Sequence, residues 1–173
     1  PDVSPAPGSK NIHIITDASA SITGRMICTL RDLYGKVLDS FEKTISLLPF
    51  KKSLPIPIPN TMACPPDPQH CFLHMELVNE EKSLAEYTHF FYPNKHIAWP
   101  PVDIEMQIEQ KSAHDYQLTL NSDTIARDVW VRTAQPAVIN PNWVTLLPER
   151  PQIITARFKE TPCVPSERLF RLN

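Results

Sequence analysis

The chain holds nineteen prolines against three glycines in 173 residues, and this imbalance constrains its fold more than any other feature. Proline locks φ near −65°, lacks the backbone N–H and costs about 3 kcal/mol inside a helix. In a sheet it is confined to edges, strand ends and bulges. Prolines set between apolar stretches therefore suit many short strands joined by stiff loops, and long helices are excluded.

Hydrophobic periodicity fills in the strands. Tyr116, Leu118 and Leu120 alternate with Gln117 and Thr119, the period of a strand with one buried face, and Asn121-Ser122-Asp123 supplies turn formers. In the next run Val129 and Val131 share one side while Asp128, Trp130 and Arg132 share the other. After a loop with Pro136, Asn140 and Pro141 the pattern resumes at Trp143. Leu146-Leu147-Pro148-Glu149 reads as a strand stopped at proline, and residues 152–158, β-branched and alternating, as the strand that returns. Upstream, residues 102–110 put Val102, Ile104, Met106 and Ile108 inward and Asp103, Glu105, Gln107 and Glu109 toward solvent.

The first half repeats the style. Residues 11–16 form a first strand, and residues 21–33 a long one with Ile22, Met26, Cys28 and Leu30 on one face. A hairpin turn follows over residues 32–36, with Gly35 as its left-handed residue. Residues 37–48 fit a returning strand with a bend or bulge. A helical reading also fits Val37, Phe41, Thr44, Ile45 and Leu48, but Thr44, Ile45 and Ser46 are weak helix formers. Residues 54–59, LPIPIP, can be only an edge strand or a polyproline-like segment, which protects the sheet edge. Residues 71–78 and 83–92 complete the set. About seven short strands in roughly 85 residues is the count of an immunoglobulin-like sandwich. The expectation is an all-β chain of two tandem immunoglobulin-like antiparallel β-sandwich domains, at 11–94 and 95–160, with a linker or arm at 1–10 and a C-terminal tail at 161–173.

Net charge is −2, and no basic run exceeds Lys51-Lys52, so nucleic acid and anionic membranes are poor partners. No apolar run is long enough to span a bilayer, and residues 1–9 lack the charged and apolar regions of a signal peptide. Of the four cysteines, Cys28 sits in an alternating strand as a buried thiol. Cys64 and Cys71 flank a stiff loop and form the candidate disulfide. Cys64, His70, Cys71 and His74 have the residue types of a metal site without the paired C-x-x-C spacing of structural zinc, so no metal ligands are assigned.

Nothing in the sequence assembles catalytic machinery. The six histidines are scattered, three glycines allow no phosphate-binding loop, and Glu76, Glu80, Glu81, Glu105 and Glu109 read as solvated faces. No cofactor is implied. Trp99, Trp130 and Trp143 are the candidate sugar or interface contacts, because indole faces serve as platforms for the apolar face of a sugar ring. Their structural alternative, packing within or between domains, is the stronger expectation.

Several of these residues together carry a family resemblance. Ser122, the run Ala126-Arg127-Asp128-Val129-Trp130-Val131, Trp143 and Leu146-Leu147-Pro148-Glu149 resemble the C-terminal immunoglobulin-like domain of family 2 glycoside hydrolases of the β-mannosidase and exo-β-glucosaminidase type. The segments DLYGKVL and FLHMELVNEEKSLAEYTHFFYPNKH are similar to that family's middle sandwich. The chain departs from the family pattern at Asn140 to Thr145 and at Arg150. The resemblance implies non-catalytic accessory domains of a larger enzyme that hydrolyses terminal β-linked mannose or a related sugar. Its catalytic carboxylates would lie in a (β/α)₈ barrel, absent here because nothing alternates strand with helix. The implied partners are that barrel and the preceding domains of the same enzyme, and carbohydrate. A secreted, periplasmic or lysosomal setting is expected over a cytoplasmic one. The competing readings are an adhesion module of a secreted or surface protein and an independent carbohydrate-binding module.

Overall fold

The computed structural model describes residues 2–5, 11–53, 55–80, 82–148, 150–163 and 166–172 and divides into two compact units, Pro1–Trp99 and Pro100–Asn173. Both are all-β. The first contains β1 (Asp2–Pro5), β2 (Asn11–Ile15), β3 (Ile22–Asp32), β4 (Val37–Leu47), β5 (Ile56–Pro57), a single helical turn α1 (Asn60–Ala63), β6 (Cys71–Asn79) and β7 (Lys82–Phe90). A 3-10 turn at Asn94–His96 follows.

These strands make two antiparallel sheets, β1-β2-β5 and β4-β3-β6-β7. Period-two burial turns Ile12, Ile14 and Ile56 of the smaller sheet onto Met26, Cys28, Leu30, Ile45, Leu47, Leu73, Met75 and Leu77 of the larger. That apolar layer is the core of the first sandwich, because each sheet can bury its inner face only against the other. The β3–β4 hairpin closes on Gly35, whose φ of 90° is open to glycine at no cost, and the Asp32 carboxylate accepts from the amides of Tyr34 and Lys36 at 2.9 Å each. A register shift near Leu30 supplies the bulge that residues 37–48 require. At Gly24 a Cβ would stand 2.9 Å from the Val78 carbonyl oxygen and 3.0 Å from Leu77 Cδ1, so glycine here lets β3 lie close to β6.

The second unit contains β8 (Ile104–Gln110), β9 (Asp115–Ser122), β10 (Ala126–Val129), β11 (Val131–Thr133), β12 (Ala137–Asn140), β13 (Val144–Leu146), β14 (Gln152–Phe158), a helical turn α2 (Ser166–Leu169) and β15 (Phe170–Leu172). The sheet β12-β14-β9-β8 faces two short ladders, β10-β13 and β11-β15. Leu118, Leu120, Ile154 and Ala156 from the sheet meet Val129, Val131, Leu146, Leu169 and Phe170 in one core. The two units are tandem immunoglobulin-like sandwiches.

Several sequence expectations need correction. The arm at 1–10 is not all linker: Asp2–Pro5 pairs with β2, Val3 opposite Ile14. Residues 6–10 lie outside the described residues, as do Leu54 of the LPIPIP run, Glu81, and Glu149 of the Leu-Leu-Pro-Glu run. The expected boundary at 94/95 falls early, since Trp99 belongs with the first unit: its indole N–H donates to the Asn94 carbonyl at 3.0 Å and its ring lies 5.2 Å from Phe90. The tail at 161–173 is not a tail. Phe170 is 3% exposed and stands 5.7 Å from Tyr116 and 5.9 Å from Phe158 in an edge-on triad. Val102 precedes its strand and is exposed rather than inward, because pairing of β8 with β9 begins at Ile104 opposite Ser122.

Candidate functional site

The second unit builds its most distinctive surface where β10 and β13 part. Val129 pairs with Val144. Continuing that antiparallel register one residue would set Trp130 opposite Trp143, and two residues Val131 opposite Asn142. The ladder breaks instead: Trp143 has φ 63° and Asp128 φ 58°, left-handed values that non-glycine residues seldom adopt. Beyond the break β11 takes β15 as its partner.

Side chains bridge the gap. Asn142 Oδ1 accepts the Val131 N–H at 2.8 Å and its Nδ2 donates to the Val131 carbonyl at 3.2 Å. Val129 and Val131 are both buried, at 4% and 1% exposure, so alternation sends Trp130 outward. There it stacks on Trp143 with centroids 5.0 Å apart and planes 6° from parallel. The Arg132 guanidinium carbon lies 5.4 Å from the Trp130 ring centre, a cation–π contact. Trp130 is thus half-buried by its neighbours, while Trp143 remains 64% exposed and offers an indole surface to solvent. Trp143 is a loop residue preceding β13 rather than the first residue of a strand. Beside the stack Arg127 Nε and the Asp128 carboxylate are 3.4 Å apart, both solvated, a pair that contributes at most about 1 kcal/mol.

The structure therefore brings two of the three candidate tryptophans together. Trp99 is half-buried in the first unit against Phe90. Alternation alone groups Trp130 with Arg132, and that signal could have drawn Arg132 into the candidate set.

The cysteine expectation fares differently. All four cysteines are free thiols, with Cys28 and Cys71 buried and Cys64 and Cys163 exposed. The loop that a Cys64–Cys71 bridge would close is organised by Asp67 instead. Its carboxylate meets His70 Nδ1 at 2.8 Å, and its carbonyl accepts the Cys71 S–H at 3.1 Å. Burial, reinforced by Asp39, pushes the Cys28 thiol up to about 12; burial and then Asp67 push Cys71 up to about 11. Among the described residues no group of three or more His, Cys, Asp or Glu side chains is disposed to hold a metal ion. His74 lies 3.3 Å from Thr88 Oγ1, and burial lowers the pKa of His89, which packs edge-on against Phe91 at 5.3 Å.

Comparison with known proteins agrees with this architecture. Residues 8–96 match the family model of the mannosidase Ig/CBM-like domain, and residues 99–165 that of an Ig-fold domain of mannosidases. A comparison against curated protein sequences gives no match. Among solved structures, the chain is similar to β-D-mannosidase from Dictyoglomus thermophilum, with a TM-score of 0.79 and 19% identity over 99% of this chain and 21% of that one. It is also similar to the exo-chitosanase CsxA of Amycolatopsis orientalis, with a TM-score of 0.61 and 14% identity over 90% of this chain and 23% of that one. At these identities the likeness is one of fold, and the chain spans only 21–23% of those structures' length. With more than half its length matched by the first family model and most of the remainder by the second, the chain belongs to the mannosidase Ig/CBM-like domain family, followed by a mannosidase-type Ig-fold domain.

Proposed function

We propose that this chain is the non-catalytic C-terminal accessory portion of a β-mannosidase-type glycoside hydrolase, which holds a catalytic barrel of the same enzyme in place. The parent enzyme would hydrolyse terminal β-linked mannose or a related sugar. One observation carries the reading: both sandwiches match mannosidase domain models in tandem, and 99% of the chain superposes on 21% of a β-mannosidase structure. Chemistry supports it. A retaining glycosidase needs two carboxyl groups about 5–5.5 Å apart flanking the scissile bond. Some of the acids here are instead held in surface ion pairs, such as Asp115 with Arg157 at 2.6 Å and Asp67 with His70 at 2.8 Å.

Two measurements test the reading. The purified chain should give no turnover of an aryl β-mannoside, and turnover abolished by one Asp or Glu substitution would overturn the accessory role. Deleting these residues from a longer protein that contains them should lower the melting temperature of its remaining domains, and an unchanged melting curve would remove the supporting role. A second reading, carbohydrate binding by the chain itself, is favoured by one observation, the 64% exposure of Trp143 on its stacked partner. Retardation of the isolated chain on a mannan or chitosan gel, lost in Trp143→Ala, separates it from the first.

A further inference from the structure

We propose that the second unit carries a carboxylate-binding cleft formed by Arg132, Arg168 and Arg171. The cleft has a volume of about 310 Å³ and is lined by these arginines with Thr133, Ala134 and Leu172. Its placement follows from the β11–β15 ladder, whose register sets Arg132 directly opposite Arg171. Val131 and Phe170 turn into the core on that ladder, so the two arginines turn out together. Arg168 joins them from α2, the turn that feeds β15.

Like charges placed directly opposite each other destabilise an antiparallel pair. Among the described residues no carboxylate lies within ion-pair distance of any of the three guanidinium groups. General basicity does not account for the cluster, because the chain's net charge is −2. What relieves such an arrangement is an anion. The planar guanidinium fork matches a carboxylate with two parallel N–H···O bonds, and several such forks around one cleft select this group over a neutral ligand. The cleft's volume leaves room for a carboxylate with a sugar-sized or side-chain-sized body. A sugar acid and an acidic protein side chain present the same group.

Arg132 links the cleft to an optical reporter, since its guanidinium also lies over Trp130. The test titrates the full 173-residue chain with D-glucuronate and, separately, with N-acetylglutamate, at ionic strength held constant with chloride; mannose is the neutral control. Each acid should produce a saturable change in tryptophan fluorescence that mannose and chloride do not. Arg168→Gln and Arg171→Gln should each weaken it roughly tenfold or more. Without ligand, Arg171→Gln should melt about 1–3 °C higher than the parent, because it removes the opposed charge, whereas loss of a merely structural side chain would lower the melting point. Glucuronate binding at least tenfold tighter than N-acetylglutamate identifies a sugar acid as the occupant; equal binding identifies the carboxylate alone, as a protein side chain would present it. No saturable response, or the same response in Arg171→Gln, overturns the proposal.

Discussion

Asn142 stands in for a missing strand at Val131. Its side-chain amide accepts that residue's N–H at 2.8 Å and donates to its carbonyl at 3.2 Å, at the position where the β10–β13 register would have set the Asn142 backbone. Val131 is 1% exposed, so neither backbone group has water as an alternative. Asn142→Ala should cost about 1–3 kcal/mol in urea denaturation, and Asn142→Asp, which keeps an acceptor but loses the donor, should fall between. A loss below about 0.5 kcal/mol for the alanine variant would mean that the bridge is not made in solution.

The C-terminal segment should behave as core. Phe170 closes an aromatic triad with Tyr116 and Phe158, and Leu169 beside it is fully buried. Phe170→Ala should destabilise the second unit by about 3–5 kcal/mol, and a chain ending at residue 160 should show a lower melting transition still. Unchanged melting on truncation would return these residues to the status of a tail.

Thiol chemistry should divide the cysteines in two. Cys64 and Cys163 are exposed, while Cys28 and Cys71 are buried with thiols pushed up to about 12 and about 11. At pH 8 the thiolate, which is the reacting form, is therefore scarce at the buried pair. In the folded chain an alkylating reagent should label two sites quickly and two slowly; in urea without reductant it should label all four. Labelling in urea confined to Cys28 and Cys163 would establish the Cys64–Cys71 bridge instead.

Acid should weaken the fold in two stages. Burial lowers the His89 pKa, so the unfolded chain binds the proton more readily than the folded one. That contribution is present above the unfolded value near 6.5 and is lost as pH falls through the lower folded value. Asp115, held below the usual carboxylate range chiefly by its hydrogen bond from Arg157 and then by Ser112, acts in the same direction further down. Its contribution is present above about pH 4 and is lost as pH falls through its depressed value. Melting temperature against pH should fall below about 6.5, and His89→Phe should flatten that first limb while leaving the second. An unaltered first limb in His89→Phe would assign it to another histidine.

Periodicity and proline placement reached the architecture because they act locally. Alternation assigns Val129 and Val131 inward and Trp130 outward, and prolines such as those of residues 55–59 fix an edge, from sequence neighbours alone. What stayed hidden depends on partners distant in sequence. Phe170 lies in an uneven run, Leu169-Phe170-Arg171-Leu172, whose pairing with β11 no local pattern reveals. The Arg132–Arg171 opposition needs the same long-range register. At Cys64 and Cys71 the flanking prolines suggest a bridge, whereas the contact of the Cys71 thiol with the Asp67 carbonyl depends on a loop conformation that residue spacing does not reveal. Trp130 was legible as an outward residue, but its stack on Trp143 rests on the left-handed turn at Trp143, which the flanking sequence does not announce.

The stack itself should be measurable as a coupling. Trp130 and Trp143 lie nearly parallel, 5.0 Å apart, on a surface that neither residue could cover alone. Val131→Ala, a truncation in the core, should cost about 1–3 kcal/mol whatever the state of the stack, and so serves as the reference for packing loss. Trp130→Ala and Trp143→Ala should each destabilise the chain, and the double variant should lose less than their sum. The interaction energy from that cycle should be about 0.5–1.5 kcal/mol, the range of aromatic pairs beyond their buried area. Coupling arises only if both rings are held in contact, whereas independent burial of each predicts simple additivity. Additivity within about 0.3 kcal/mol would therefore show that Trp143 swings free of Trp130 in solution, and would leave Arg132 as the ring's main cover.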